Sequence, residues 1–295
     1  MVRSDDVGGQ GVSVCDAVHE VDCHGAVHRR HWLRGLAGLA ASAWAPWSIA
    51  LEGGAGPSDP VPDTPASAVG SLSAGNRLVS AVVIQRQWVI TAAHVVNGAV
   101  PTPHEVVFRT PLAGGFSSRA SAVHVHPEFI SHKIDLALVK LETPVPREMG
   151  VARVYTGPLV GHTIRLVSHG GSTTLISTGE NRVDAVTPDP QGRPWQYLFD
   201  HDGPELSSNV LGPSLPVNGT LGAGREATLV SGDSGSAAFV VIDGQWGLAG
   251  INTFQATLNG PNGSGRVAGG MVLVAHAKWI VETLRGAVSA GKPGA

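Results

Sequence analysis

The chain reads as an all-β protein with one helix at its C-terminal end. Short Val/Ile/Leu runs are broken by 39 glycines and 20 prolines among 295 residues, a pattern of strands and turns. The run Ala237-Ala238-Phe239-Val240-Val241-Ile242, the pair Asp243-Gly244 and the run Gln245-Trp246-Gly247-Leu248-Ala249-Gly250-Ile251 read as a hairpin closed by an Asp-Gly turn. Helical spacing is clear only from His276 to Leu284, where Ala277, Ile280, Val281 and Leu284 share a face. With 42% hydrophobic and 15% charged residues, there is apolar material for one or two cores.

Residues 1–50 form a lead-in and export signal. Arg29-Arg30-His31-Trp32-Leu33-Arg34, the apolar stretch from Gly35 to Ala41 and the small residues Ser48-Ile49-Ala50 supply the charged, apolar and cleavage regions of such a signal. The paired arginines resemble a twin-arginine signal, which implies a bacterial protein exported to the periplasm or beyond. The alternative is a short amphipathic or core helix. Cys15 and Cys23, with His19, His24 and His28 nearby, match no zinc spacing and read as a disordered tail, so no metal is expected. Residues 51–68 are Pro/Gly-rich and read as a linker from Gly53 to Ser67. The formal charge of −3 gives no support to nucleic-acid binding. No run of about 18 apolar residues suggests a membrane span, so no stable membrane insertion is expected after signal removal.

Three fragments carry chemistry. Trp88-Val89-Ile90-Thr91-Ala92-Ala93-His94 ends an apolar run on a histidine, Ile134-Asp135-Leu136-Ala137-Leu138 sets a carboxylate inside another, and Ser231-Gly232-Asp233-Ser234-Gly235-Ser236 presents a serine between glycines. A serine hydroxyl needs a base to become a nucleophile, and imidazole titrates in the right range. That imidazole needs a fixed acceptor on its other nitrogen. Asp135 fits, since a carboxylate among such neighbours would be costly without a partner. The N–H groups of Gly232 and Ser234 are placed to meet an oxyanion, and Asp233 between them is a candidate anchor for the loop. His104, His124, His126, His162 and His201 read as ordinary satisfied or exposed side chains.

The order His94, Asp135, Ser234 separates this triad from the other folds that converge on it. With Ser80-Ala81-Val82-Val83-Ile84, His126-Pro127-Glu128-Phe129, Leu166-Val167-Ser168-His169-Gly170-Gly171, Leu248-Ala249-Gly250-Ile251 and Lys278-Trp279-Ile280, it makes the chain resemble a trypsin/chymotrypsin-like serine protease from about Val69 to Leu284. The resemblance implies two six-stranded antiparallel β-barrels packed together. Residues 69–157 would form the first, with His94 and Asp135, and 158–275 the second, with Ser234. A C-terminal helix over 276–287 and a disordered tail over 288–295 would follow.

Other expectations rest on that resemblance. Val79 and Val95 stand where animal relatives carry a disulfide, and would pack together. Many relatives pair a freed amino terminus with the aspartate before the nucleophile, here Asp233. Cleavage after Ala50 would start the chain at Leu51-Glu52-Gly53-Gly54, about where the mature family begins. Thr228, six places before the nucleophile, would lie at the base of the primary pocket; being uncharged, it argues against selection for Arg or Lys and for small or apolar side chains. Thr253-Phe254-Gln255 would form the edge along which substrate pairs, with Phe254 as a wall. Asp200-His201-Asp202-Gly203-Pro204-Glu205 reads as a solvated turn rather than a calcium loop. The expected function is secreted serine endopeptidase, needing no cofactor and acting on protein or peptide. The alternatives are an inactive homologue serving as a binding module, and an esterase using the same triad.

Overall fold

The computed structural model describes residues 50–61, 64–189, 191–202, 209–211, 219–222, 224–260 and 263–290. Residues 1–49 of the expected export signal, both cysteines, residues 203–205 of the acidic turn and residues 291–295 of the expected tail lie outside them. Strand β1 (Ala55–Ser58) comes first. It is followed by β2 (Val69–Ala74), β3 (Arg77–Gln85), β4 (Trp88–Thr91), β5 (Val106–Thr110), β6 (Phe116–Val125) and β7 (Ala137–Leu141). Strands β2 to β7 close into an antiparallel barrel in the order β2-β3-β4-β7-β6-β5, with β5 returning to β2.

The second half contains β8 (Thr163–Ser168), β9 (Ile176–Arg182), β10 (Ala185–Pro188), β11 (Pro194–Asp200), β12 (Ala237–Ile242), β13 (Gln245–Gly260) and β14 (Gly263–Val272). Together with β1 they form one sheet ordered β1-β9-β8-β12-β13-β14-β11-β10. The all-β, two-part architecture therefore stands, with eight strands rather than six in the second half. The additions are its two edges: β1 pairs with β9, and the short β10 with β11. Part of the segment expected as a linker is thus a strand of the sheet. At Asp243-Gly244, φ values of 52° and 73° and the pairing of Ile242 with Gln245 give the two-residue turn that the sequence implies.

Alternation along the barrel strands explains why their sequences are continuously apolar. Val83, Val89 and Val139 enter the core inside the first barrel, whereas their neighbours Val82, Ile90 and Leu138 enter a second core with Val167, Phe239, Ile251 and Met271 of the other half. Both faces of these strands are buried, so no polar alternation appears. Val79 and Val95 belong to the same cluster inside the barrel.

Two single-turn helices interrupt the strands, α1 (Ala93–Val96) and α2 (Phe129–His132), and the terminal helix α3 spans Ala277–Ala290 after a 3₁₀ turn at Leu273–His276. Helix α3 buries Ile280 in the core between the halves. His126 anchors its start, its ring tilted against Trp279 at 4.6 Å and edge-on to His276 at 5.3 Å. Burial lowers the pKa of both histidines, His276 to about 4, so they pack as neutral rings. Among the described residues no helix is long and apolar enough to cross a membrane.

Candidate active site

Strand pairing assembles two of the three expected groups. Thr91, the last residue of β4, pairs with Ala137, the first of β7. His94, three residues beyond the one, and Asp135, two residues ahead of the other, therefore emerge side by side at the barrel rim. The turn of α1 directs the imidazole at the carboxylate: Asp135 Oδ1 accepts from the His94 backbone N–H at 2.8 Å, and Oδ2 lies 2.7 Å from His94 Nδ1. With the proton on Nδ1 as donor, Nε2 is left as acceptor, 3.0 Å from Ser234 Oγ. Arg77 Nη1 donates to the His94 carbonyl and braces α1 from the solvent side.

Ser234 sits in a tight turn just before β12 that is pressed onto the first barrel. Ser234 O accepts from Ser80 N at 3.1 Å, and Gly235 N donates to Asn252 O at 2.9 Å. Only glycine fits at 235: φ is +77°, and a Cβ would lie 2.2 Å from Ser80 O and Thr91 Oγ1. Neither Gly232 N nor Ser234 N donates to another described residue, which leaves both N–H groups free to meet an oxyanion.

Asp233 is 1% exposed and ties this loop down. Its carboxylate accepts from Ser168 Oγ at 2.6 Å, Val230 N at 2.7 Å and Leu51 N at 3.2 Å. Burial raises its pKa, and these three donors oppose the rise. Ser168 in turn lies 3.2 Å from Ser80 Oγ, which accepts from His169 N at 2.9 Å. A buried hydroxyl chain therefore links β3 of the first barrel, β8 of the second half and the loop that carries Ser234. Sequence reasoning quoted Ser80 and Ser168 only as parts of apolar motifs; the signal missed was a lone serine within each run.

The residues expected at the primary pocket lie together in part. Thr228 is fully buried, its N–H donates to Glu52 O at 2.9 Å, and its hydroxyl has no hydrogen-bond partner among the described residues. Thr253 is the extra residue of a bulge in β13, since Asn252 pairs with Gly270 and Phe254 with Gly269. Phe254 lies against Gly269, where a Cβ would meet its ring edge at 3.0 Å. Gln255 is exposed, and its side-chain oxygen accepts from Arg266 Nη2 at 2.9 Å. Arg266 has no counterpart among the sequence-predicted residues. The same Nη2 donates to Leu229 O at 2.8 Å, while Nη1 pairs with Glu52.

A second unforeseen cluster joins Asp184, Asp200, Asp202 and Glu226, all buried. Asp200 Oδ2 accepts from Val210 N and Leu211 N at 2.7 Å each, Asp184 Oδ2 from Asp200 N at 3.1 Å, and Glu226 from Asp202 N and Leu221 N at 2.7 Å each. Burial pushes Glu226 up to about 7 and Asp202 to about 6. Burial and the Asp200 charge likewise raise Asp184. Among the described residues no three His, Cys, Asp or Glu side chains are arranged to hold a metal ion.

A family model described as a trypsin-like peptidase domain matches residues 79–223. The match covers His94 and Asp135 and stops short of Ser234, which the fold brings to His94. The match and the all-β fold together support placing the chain among the trypsin-like serine peptidases.

Proposed function

We propose that this chain is an exported bacterial serine endopeptidase that cuts peptide bonds through an acyl-enzyme. Ser234 Oγ attacks the scissile carbonyl as His94 Nε2 takes its proton. His94 returns that proton to the leaving amine, and water then repeats the sequence to release the acyl group. Asp135 holds the imidazole tautomer and stabilises the imidazolium. The N–H groups of Gly232 and Ser234 receive the oxyanion, and Asp233 holds their loop. The observation that carries the reading is the placement of His94 between Asp135 and Ser234 at 2.7 and 3.0 Å. That geometry also weighs against an inactive binding module, which has no need of three aligned groups.

The substrate is a protein or peptide, held along Thr253, Phe254 and Gln255 with its primary side chain directed toward Thr228. Cleavage of a mixed peptide library, read by mass spectrometry beside Ser234→Ala, tests the assignment. Internal cuts should vanish in the mutant. Ester turnover without peptide cuts would instead establish the esterase.

Export supplies the activating terminus in this proposal. Leu51 N, 3.2 Å from Asp233 Oδ2, is a peptide N–H in the full chain and would become an ammonium on the same carboxylate after cleavage behind Ala50. Terminal sequencing of the exported protein should find Leu51 first; a start beyond Gly54 would overturn this route.

A further inference from the structure

Arg266 bridges segments that the resemblance to the family places beside the primary pocket. Leu229, next to Thr228, and Gln255, on the substrate edge, belong to two segments that flank the expected pocket. A single nitrogen, Arg266 Nη2, bonds to both, at 2.8 Å to Leu229 O and 2.9 Å to Gln255 Oε1. Two acceptors held on one nitrogen draw the Gln255 side chain toward the backbone at Leu229. Its other terminal nitrogen pairs with Glu52, whose carbonyl holds Thr228 N. The guanidinium therefore ties three segments together, and its charge is matched within the protein.

An independent observation agrees with a closed space. Thr228 has no solvent-accessible surface, and its hydroxyl has no hydrogen-bond partner among the described residues. A floor residue in an open pocket would keep surface exposed to solvent, and this one keeps none.

We infer that Arg266 is a specificity-determining residue that caps the primary pocket with Gln255, so that the enzyme cuts after small side chains and rejects large apolar ones. The inference rests on the peptidase reading and sharpens its specificity from small or apolar to small. A substrate carboxylate gains little from this arginine, because both protons of Nη2 and one of Nη1 are already committed within the protein.

The test compares kcat/KM for peptides that differ only in Ala, Leu, Phe or Glu before the scissile bond. The mature wild type is measured beside Arg266→Ala and Gln255→Ala, each of which removes one end of the brace. The wild type should favour Ala over Phe by about 100-fold, the scale on which pocket fit discriminates. The Phe-to-Ala ratio should rise at least about tenfold in either variant, and Gln255→Ala keeps the test open if the arginine is needed for folding. Wild-type turnover of Phe equal to Ala, an unchanged ratio in both variants, or a preference for Glu that Arg266→Ala abolishes would each overturn the cap. Absence of any Ser234-dependent cleavage would instead overturn the peptidase reading, and the cap with it.

Discussion

Two buried carboxylate sites in the second half of the molecule are built differently. Asp233 is a single acid met by three donors, and every bond it makes holds the nucleophile loop. Asp184, Asp200, Asp202 and Glu226 share one region, and none forms a salt bridge among the described residues. Their acceptors instead tie down the backbone at 200–202, 210–211 and 221. At Asp233 burial raises the pKa and the donors oppose the rise. In the cluster burial again raises the pKa values, and the neighbouring carboxylates add to the rise at Asp184, Asp202 and Glu226. The first arrangement sits beside the nucleophile; the second holds the loops that lead to Thr228.

Removing the charge at the first site has the largest expected effect. Asp233→Asn keeps the shape but replaces one acceptor oxygen with an amide that donates, set against Ser168 Oγ or against Val230 N and Leu51 N. Either choice opposes a donor the loop relies on, so the N–H groups of Gly232 and Ser234 lose their aim. We expect kcat to fall by about 10²–10³, the scale for losing an oxyanion donor, with KM nearly unchanged. A kcat within about threefold of wild type would show that the loop holds itself.

Ser168→Ala removes one of the three donors and leaves the Ser80 hydroxyl with only the bond it accepts from His169 N. Leaving a buried polar group unsatisfied costs about 1–3 kcal/mol. The expected outcome is a loss of about tenfold in kcat and a lower Tm, with kcat recovered in part by Ser168→Thr. Recovery of Tm without kcat in the threonine variant would assign Ser168 to stability alone.

The difference between the two sites also marks what could be read from the sequence. His94, Asp135 and Ser234 were legible because each lies within a short local pattern at the end or start of a strand. Asp233 came with the nucleophile motif, but the donor that bonds it most closely, Ser168, lies 65 residues away, and Ser80 is 88 residues from Ser168. Only the folded barrels bring them together. Asp184, Asp200, Asp202 and Glu226 fall at irregular spacing, so no periodicity announces their cluster. Arg266 is a lone cation in a glycine-rich stretch, and its meaning depends on the register of β13 with β14, where Thr257 pairs with it. The same holds for β1, whose sequence Ala-Gly-Pro-Ser lacks any strand signal and which forms because β9 offers an edge.

The acid cluster carries the smallest expected effect, one on stability rather than rate. Glu226, pushed up to about 7, and Asp184, also raised, bind protons in the folded state that the unfolded chain releases near the usual carboxylate range. The stability they add is full below that range and is lost as pH rises through the folded values. The buried histidines act with opposite sign: His169 and His276, lowered to about 4, withdraw stability as pH falls below about 6.5, the ordinary value for imidazole. Above that pH the carboxylates act alone. Tm should therefore decline between about pH 6.5 and 8.5, at about 2–4 °C per kcal/mol for a domain of this size. Asp184→Asn, which removes one titrating partner, should flatten the slope. Asp233→Asn should act in the same direction, because burial raises the pKa of that carboxyl despite its three donors. Equal slopes in wild type and Asp184→Asn would mean that the four acids do not titrate together, and that the contrast with Asp233 is one of position only.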